Sequence, residues 1–240
     1  MPLSVDKKSP ATAERSAAIE SMSELHPFSE AELNHLKILH RHTTNTAALE
    51  AMRDIRTQLM AAAEGRNFSC LVTSPVSGGG ASHVARNLAA VIAMDDTKTS
   101  VLVDANFYAP SVHELVQTEI DRGLNAYLST PDMGIESIVY ASGIPRVRVV
   151  PVGGDSSLAT EHLSSIKAQQ LVPSLKQRYV DRYVVVDAPP VLQHPADNRL
   201  LCQHCDFVIL VVPFGRVSQS QLRQCEQALS PYLSMALFNY

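Results

Sequence analysis

The sequence has no tryptophan, few cysteines and no long apolar run. The apolar stretch Phe207–Val212 has the length of a strand and falls far short of the roughly 20 residues that a membrane helix needs. Four cysteines in the chain fit a reducing compartment better than a disulfide framework. The opening residues, MPLSVDKKSP, carry charges without a following apolar core, which argues against a signal peptide. We therefore expect a cytoplasmic protein that reaches the inner face of the plasma membrane only through a partner.

An excess of basic charge is also missing. Lysine and arginine number 20 against 24 acidic residues, so no positive field invites nucleic acid. Hydrophobic residues make up 45% of the 240 residues, which is enough for one sizeable domain with its own core. Cys202 and Cys205 have zinc-like spacing, but a structural zinc site takes four ligands and no second pair exists. We interpret this pair as half-buried thiols at a helix end.

The first 44 residues are polar and weakly patterned. We predict a mostly disordered tail over residues 1–44, with a short helix over Ser29–Leu39. A folded domain is expected over residues 45–240. It begins with a strong amphipathic helix over Ala47–Ala63, which Gly65 closes.

Beyond this helix, strand-like and helix-like segments alternate. Several predicted strands are continuous β-branched runs, as expected of parallel strands buried on both faces. The predicted strands are Phe68–Thr73, Ser100–Asp104, Val147–Val152, Tyr183–Asp187, Phe207–Val212 and Met235–Phe238. The predicted helices are Ala81–Met94, Val112–Val116, Leu124–Ser129, Ile135–Ala141, Ser165–Tyr179, Asp197–His204 and Ser218–Leu229. This alternation predicts an α/β fold, a doubly wound, mostly parallel sheet with helices on both faces.

A glycine-rich loop joins the first predicted strand to the next helix. Residues 69–89 read SCLVTSPVSGGGASHVARNLA, and this order of strand, glycine turn and helix points backbone N–H groups at phosphates. A working loop ends in G-K-[ST], where the lysine reaches the β- and γ-phosphates. Here an alanine takes the lysine position, so the loop lacks its main positive charge. The candidate nucleotide-binding residues are Gly78, Gly79, Gly80, Ala81, Ser82 and His83.

Two carboxylates are expected at the mouth of this loop. Asp104 and Asp187 each end a predicted strand, and ligands of such sheets bind beyond the carboxyl ends of the strands. In phosphoryl-transfer sites such carboxylates hold Mg²⁺ or accept the proton of the nucleophile. We therefore predict both aspartates as catalytic residues and, with the Ser82 hydroxyl, as Mg²⁺ ligands. Taken singly, a glycine turn or an aspartate after a strand also serves ordinary turns.

Several motifs together resemble the cytoplasmic domain of bacterial tyrosine kinases (BY-kinases), deviant P-loop proteins related to the MinD and ParA ATPases. The helix EAMRDIRTQL is similar to the family's E-x-[YF]-R-x-[LI]-R-T-N-[LI] segment. VLVDANFYAPSVHELV resembles V-L-L-I-D-A-D-x-R-x-P-S-x-H, and YVVVDAPP resembles Y-V-I-I-D-T-P-P. The resemblance covers roughly residues 45–240. Of the family's loop pattern, T-S-x-x-P-G-E-G-K-S-T-x-x-x-N-L-A, the chain keeps Thr73, Ser74, Gly78, Gly80, Ser82, Asn87, Leu88 and Ala89.

The resemblance implies cofactors, partners and an oligomer. ATP and Mg²⁺ are the cofactors that it implies, and autophosphorylation on tyrosine is the activity. In the family the EAMRDIRTQL-like helix packs against the next subunit, so the resemblance makes Glu50, Arg53 and Arg56 the candidate oligomerisation residues of a homo-oligomer. It also implies a role in exopolysaccharide and capsule export beside a membrane polysaccharide co-polymerase, or chain-length determinant protein.

The departures from the family pattern bear on catalysis. Family members that autophosphorylate have the loop lysine, acids in both motifs and a C-terminal tyrosine cluster. This chain instead has Ala81, Asn106 at the second acidic position and uncharged residues over Phe107–Ala109. It ends LSMALFNY, and we expect Tyr240 to close the fold.

Other cations are expected to be weak substitutes for the lysine. Arg86 lies one turn into the helix and is predicted to face away. His83 is expected to be largely neutral at pH 7. Arg216 follows the strand Phe207–Val212, from which its side chain either reaches the mouth of the loop or lies on the surface.

Three functional hypotheses remain at this stage. The preferred one is a non-catalytic or weakly active kinase-like partner of a membrane polysaccharide co-polymerase. The second is an active ATP-dependent tyrosine autokinase or ATPase of the same system. The third is a MinD- or ParA-like positioning regulator, although the C-terminal residues 218–240 lack the basic enrichment of an amphipathic membrane anchor.

Overall fold

The computed structural model describes residues 26–154, 159–177 and 181–239, and predictions on residues 1–25 and Tyr240 lie outside the described residues. Within these ranges the strands form one seven-stranded sheet in the order β3-β4-β2-β5-β1-β6-β7. All neighbouring strands pair in parallel except β3 and β4. The strands are β1 Ser69–Thr73, β2 Thr99–Asp104, β3 Tyr140–Ala141, β4 Val147–Val150, β5 Arg182–Asp187, β6 Phe207–Pro213 and β7 Leu233–Asn239.

Helices cover both faces of this sheet. In the described part of the chain the α-helices are α1 Glu30–His35, α2 Thr46–Ala62, α3 Ala81–Ala93, α4 Leu124–Ser129, α5 Ile166–Gln177, α6 Pro195–Cys202 and α7 Gln219–Leu229. Short 3₁₀ turns occupy Val112–Leu115, Ile135–Ile138 and Ala159–Ser164. The predicted doubly wound α/β fold is confirmed, and no described helix is long and apolar enough to cross a bilayer.

The core consists of two apolar layers on opposite faces of the sheet. Every residue of β1, β2 and β5 is buried, because these central strands have helices on both sides. Apolar side chains of α2 and α3 pack on one face, and those of α4 to α7 pack on the other. Each fully buried leucine in these layers contributes about 1.5–3 kcal/mol relative to an exposed one. This rigid sheet fixes the positions of the loops at its carboxyl edge.

The segment predicted as a helix over Ile135–Ala141 contains two different elements. A 3₁₀ turn ends at Ile138, and Tyr140 then pairs with Val149 of β4 in antiparallel fashion. The prediction of one helix is therefore wrong. A two-residue strand is too short to show alternation in sequence, and its pairing partner decides its conformation.

Residues 26–44, the N-terminal strap, lie against the domain rather than forming part of a disordered tail. Helix α1 falls within the predicted Ser29–Leu39 and begins with a capping box of Ser29 and Glu32. Ile38 of the strap is buried in the same apolar layer as α3. The Leu39 amide donates to Asn87 Oδ1 at 2.7 Å. The expectation of a disordered tail fails for residues 26–44, because a few buried apolar side chains and several long-range hydrogen bonds anchor a segment without strong periodicity.

Candidate nucleotide-binding site

The glycine loop leads from β1 into α3 in the geometry of an anion-binding loop. Gly78 and Gly80 have φ angles of 69° and 95°, in the left-handed region that side chains disfavour. The first helical hydrogen bond runs from Val84 N to Gly80 O at 3.0 Å, so the amides of residues 81–83 precede the ladder. Such amides, with the positive end of the helix dipole, attract phosphate. The predicted loop and its glycines therefore occupy the expected place.

Side chains from two other segments hold this loop. Arg216 donates to Gly78 O at 2.9 Å and to Ser77 O at 3.3 Å. Asn239, at the end of β7, donates to Gly79 O at 3.3 Å. A Cβ on Gly80 would lie 2.4 Å from the Asn239 amide nitrogen, so a larger residue would displace this side chain from the loop. Arg216 thus reaches the loop, but it binds carbonyl oxygens rather than offering its charge to an anion among the amides.

A working loop has a lysine and hydroxyl side chains at the start of the helix, and this chain has only some of these groups. Ala81 is buried and brings no cation to the first turn of α3. Ser82 keeps the hydroxyl and is partly buried. His83 follows, with its ring 3.3 Å from the Asn87 amide nitrogen. Partial burial lowers the pKa of His83, and the charges of Lys37 and Arg86 lower it further, so the expected neutral imidazole fits the site.

Asp104 and Asp187 lie side by side at the carboxyl edge of the sheet, as predicted. They are register partners on β2 and β5, and both are fully buried. Asp104 accepts backbone hydrogen bonds from Asn106 N at 3.1 Å, Ser111 N at 2.7 Å and Val112 N at 3.1 Å. Burial raises the pKa of Asp104, and these amide bonds act in the opposite direction. Asp104 therefore fixes the following loop as well as facing the site.

Asp187 has far fewer partners than Asp104. Its Oδ2 accepts a long hydrogen bond of 3.4 Å from the Ser111 hydroxyl. Its buried Oδ1 has no hydrogen-bond donor among the described residues. Burial and the neighbouring Asp104 charge raise the pKa of Asp187 to about 7, against the opposing effects of Ser82 and Arg86. A buried carboxylate oxygen without a donor fits a place for a metal ion or a cationic group.

Arg86 does not face away from the site, so this prediction is wrong. Its side chain is only 14% exposed. It donates to Ser111 O at 2.5 Å and to Glu114 Oε2 at 3.0 Å. Its charge is close enough to lower the pKa of both Asp104 and Asp187. The direction of the Arg86 side chain depends on where the segment after β2 folds. The sequence pattern of α3 does not indicate that position.

The residues that depart from the family pattern after β2 take structural roles. Asn106 Oδ1 accepts from Ala109 N at 3.3 Å and so closes a turn. The Tyr108 hydroxyl donates to Asp197 Oδ2 at 2.8 Å, and its ring stacks on His194 with centroids 3.4 Å apart. These contacts connect the loop after β2 to α6. Asn106 therefore closes a turn and Tyr108 packs on α6 at the positions where the family motif has an acid and an arginine.

The three predicted oligomerisation residues lie on α2 but differ in exposure. Glu50 and Arg53 are exposed. Arg56 is half-buried and donates to Val91 O of α3 at 3.0 Å. Arg56 therefore stabilises the contact between α2 and α3 within one chain, while Glu50 and Arg53 remain accessible to another subunit.

A cavity of about 660 Å³ lies away from this site, at the amino ends of the strands. Phe68, Tyr183 and Phe207 line it, with the Lys176–Asp206 ion pair at 2.6 Å. Among the residues that the structure describes, no group of three or more His, Cys, Asp or Glu side chains is arranged to hold a metal ion.

The glycine loop, the N-terminus of α3 and the paired carboxylates lie together at the carboxyl edge of the sheet.

The parallel sheet and the glycine loop between β1 and α3 define a protein with a P-loop NTPase-like fold. No protein-family model matches the chain. The tyrosine-protein kinase YwqD of Bacillus subtilis is 31% identical over 189 residues, which cover 78% of each chain. The putative tyrosine-protein kinase EpsB of Ralstonia solanacearum is 30% identical over 188 residues, or 78% of this chain, and the match spans only 24% of EpsB. The chain belongs to the family of bacterial tyrosine-protein kinases.

Solved structures agree with this assignment. The kinase domain of the Escherichia coli tyrosine kinase ETK superposes with a TM-score of 0.73 at 26% identity, covering 89% of this chain and 87% of that domain. A cobyrinic acid a,c-diamide synthase from Mycobacterium smegmatis, solved with an ATP analogue and magnesium, has a TM-score of 0.60 at 14% identity over 72% of each chain. This second likeness concerns the fold alone.

Proposed function

We propose that this chain is a BY-kinase-like module that has lost efficient phosphoryl transfer and acts as a cytoplasmic partner of a membrane polysaccharide co-polymerase. In this role it assembles at the inner face of the plasma membrane through that partner and contributes to exopolysaccharide or capsule export. The site after β1 serves as a docking surface rather than as a catalyst.

The observation that carries this proposal is the charge pattern around the glycine loop. Ala81 leaves the first turn of α3 without a cation, and the one cationic side chain described on the loop, Arg216, binds its carbonyl oxygens. Two buried carboxylates, Asp104 and Asp187, remain at the mouth. Without the lysine, the negative charge of these carboxylates opposes the binding of a polyphosphate. Ala81 also offers no charge to stabilise the transition state of phosphoryl transfer. Loss of one such preorganised donor typically lowers the rate by about 10²–10³-fold.

If MgATP does bind, the residues for it are identifiable. The amides of residues 81–83 fit phosphates, but Ala81 adds no positive charge to them. Asp187 Oδ1, without a donor, and the Ser82 hydroxyl fit Mg²⁺. Bound Mg²⁺ would neutralise phosphate charge, and Asp104 would support it from the neighbouring strand. Weak binding by backbone amides is therefore the expected upper limit.

The proposal is tested by titrating the purified protein with a fluorescent ATP analogue in the presence of Mg²⁺ and then assaying phosphotyrosine. We expect weak binding and no phosphotyrosine. Micromolar affinity together with phosphotyrosine would overturn the loss of catalysis. Docking is tested separately, by co-purification with the cytoplasmic ends of a membrane polysaccharide co-polymerase from the same organism, and absence of a complex would contradict the docking role.

The active autokinase remains the second candidate, because one observation favours it. Asp187 has a free buried oxygen and a raised pKa, as a metal ligand or proton acceptor would. The same titration and phosphotyrosine assay decide between the two candidates.

A further inference from the structure

Arg86 is an unusual residue for the first turns of a phosphate-binding helix. It lies on α3, one helical turn beyond Ser82, and its guanidinium is mostly buried. Burying a guanidinium is costly unless acceptors surround it. Two acceptors are provided, Ser111 O at 2.5 Å and Glu114 Oε2 at 3.0 Å. Both lie on the segment that follows β2.

Ser111 connects Arg86 to both carboxylates. Its carbonyl accepts from Arg86, its amide donates to Asp104 Oδ2 at 2.7 Å, and its hydroxyl donates to Asp187 Oδ2 at 3.4 Å. All three polar groups of this one residue are therefore used between the guanidinium and the two acids. Ser111 therefore connects the guanidinium to both buried carboxyl groups.

Two buried carboxylates on adjacent strands repel each other, and a nearby positive charge favours the ionised form of both. In a working phosphate site a divalent cation and the loop lysine share this task. Here the loop has Ala81 instead, while Arg86 pairs with Glu114, reaches the acids through Ser111 and lowers the pKa of both. An arginine suits this position because its planar fork binds a carbonyl and a carboxylate at once.

We propose that Arg86 is the resident counter-ion of the Asp104–Asp187 pair and that, through Ser111, it holds the pair without the help of a divalent cation. Arg86 is a positioning residue, since it acts on the carboxylates through another residue. This inference goes beyond the docking role proposed above and does not depend on it.

The test compares thermal unfolding of Arg86→Met with and without magnesium, in the absence of nucleotide. Methionine keeps the apolar stem and removes the charge. In EDTA we expect a Tm below that of the wild type. Addition of about 10 mM Mg²⁺ should raise the Tm of the variant by about 3 °C, because the uncompensated acids then bind the ion. The wild type should change by less than about 1 °C.

Arg146→Met is the matched control. Arg146 also bonds one carbonyl, Ala93 O at 2.6 Å, and one carboxylate, Asp96 at 2.9 Å, and its side chain is 21% exposed. It is expected to lose stability without recovery in Mg²⁺. The double variant Arg86→Met with Asp187→Asn should also lose the recovery. Equal recovery of both arginine variants, or none in Arg86→Met, would overturn the proposal.

A second measurement avoids any folding defect of the variant. The wild-type protein is titrated with Mn²⁺ alone and free Mn²⁺ is followed by electron paramagnetic resonance. We expect no saturable binding below about 1 mM, because the acids already have their counter-ion. Saturable binding at micromolar Mn²⁺ would contradict a resident counter-ion.

Discussion

Restoring the missing lysine by the substitution Ala81→Lys is the most direct probe of the loop. The amides of residues 81–83 and the glycine conformations at Gly78 and Gly80 are already in place. The new ammonium would therefore add a charge-assisted donor to an existing anion site. Hydrogen bonds to charged groups contribute about 1.5–3 kcal/mol. We expect the affinity for MgATP to rise by about 10- to 150-fold, at about 1.4 kcal/mol for each tenfold change.

The longer side chain also has a structural cost. Ala81 is only 7% exposed, and extra methylenes in a packed environment cost about 1–3 kcal/mol. Ala81→Met is the matched control, since it adds a stem of similar length without charge. Both variants should lose similar stability in a thermal melt, and only the lysine variant should gain affinity.

Isothermal titration of each variant with MgATP measures the effect. Equal affinities of the lysine and methionine variants would refute the reasoning, because they would show that the loop amides do not form an anion site. Phosphotyrosine in the lysine variant is not required, since Asn106 and the uncharged segment after it remain.

Contacts away from the loop give three further expectations. Asp206→Asn should lose stability at neutral pH only. Burial raises the pKa of Asp206, but hydrogen bonds from Lys176 and from β1 outweigh this and lower it, so its contribution is present above the unfolded value near 3.9 and is lost as the pH falls through the folded value. Asn87→Ala should cost about 1–3 kcal/mol in urea unfolding, because the buried Leu39 amide of the N-terminal strap loses its partner and the Lys37 carbonyl loses a donor. Arg53→Ala should weaken self-association in light scattering without lowering the Tm, whereas Arg56→Ala should lower the Tm.

Each of these expectations has an outcome that contradicts it. A stability loss for Asp206→Asn that is the same at pH 3 and pH 7 would exclude an ionic contribution. Since the Asp206 side chain is 46% exposed, its pair with Lys176 should contribute no more than about 1 kcal/mol. For Asn87→Ala, limited proteolysis should cut the strap sooner, and unchanged cleavage would show that this amide does not hold it. Unchanged light scattering of Arg53→Ala would remove α2 as the oligomer interface.

The sequence predicts the central part of this fold because the central strands are buried on both faces. Continuous β-branched runs such as residues 184–186 favour strands buried on both faces, and helix α4 has the predicted bounds Leu124–Ser129. The two aspartates are also found where predicted, since both directly follow such strands. A buried strand and the residue that ends it are both determined by neighbouring residues, so both can be predicted from a short stretch of sequence.

The remaining features depend on contacts between distant segments. Asn87 and Leu39 are separated by 48 positions, and nothing near either residue indicates the other. Arg86 points toward the carboxylates only because the segment at Ser111 folds over α3. Strand β3 exists because β4 offers it an edge. Periodicity finds the elements of this protein, but it contains no information on which side chain meets which across the fold.

The contacts of Arg216 and Asn239 with the glycine loop have a consequence for ligand binding. Fixing a flexible backbone residue costs about 1–2 kcal/mol of conformational entropy, and in this protein that cost is met during folding rather than during ligand binding. The loop is therefore held as a rigid structure with an alanine at position 81. A single new side chain at that position would change the charge of the loop and would require no rebuilding of the backbone.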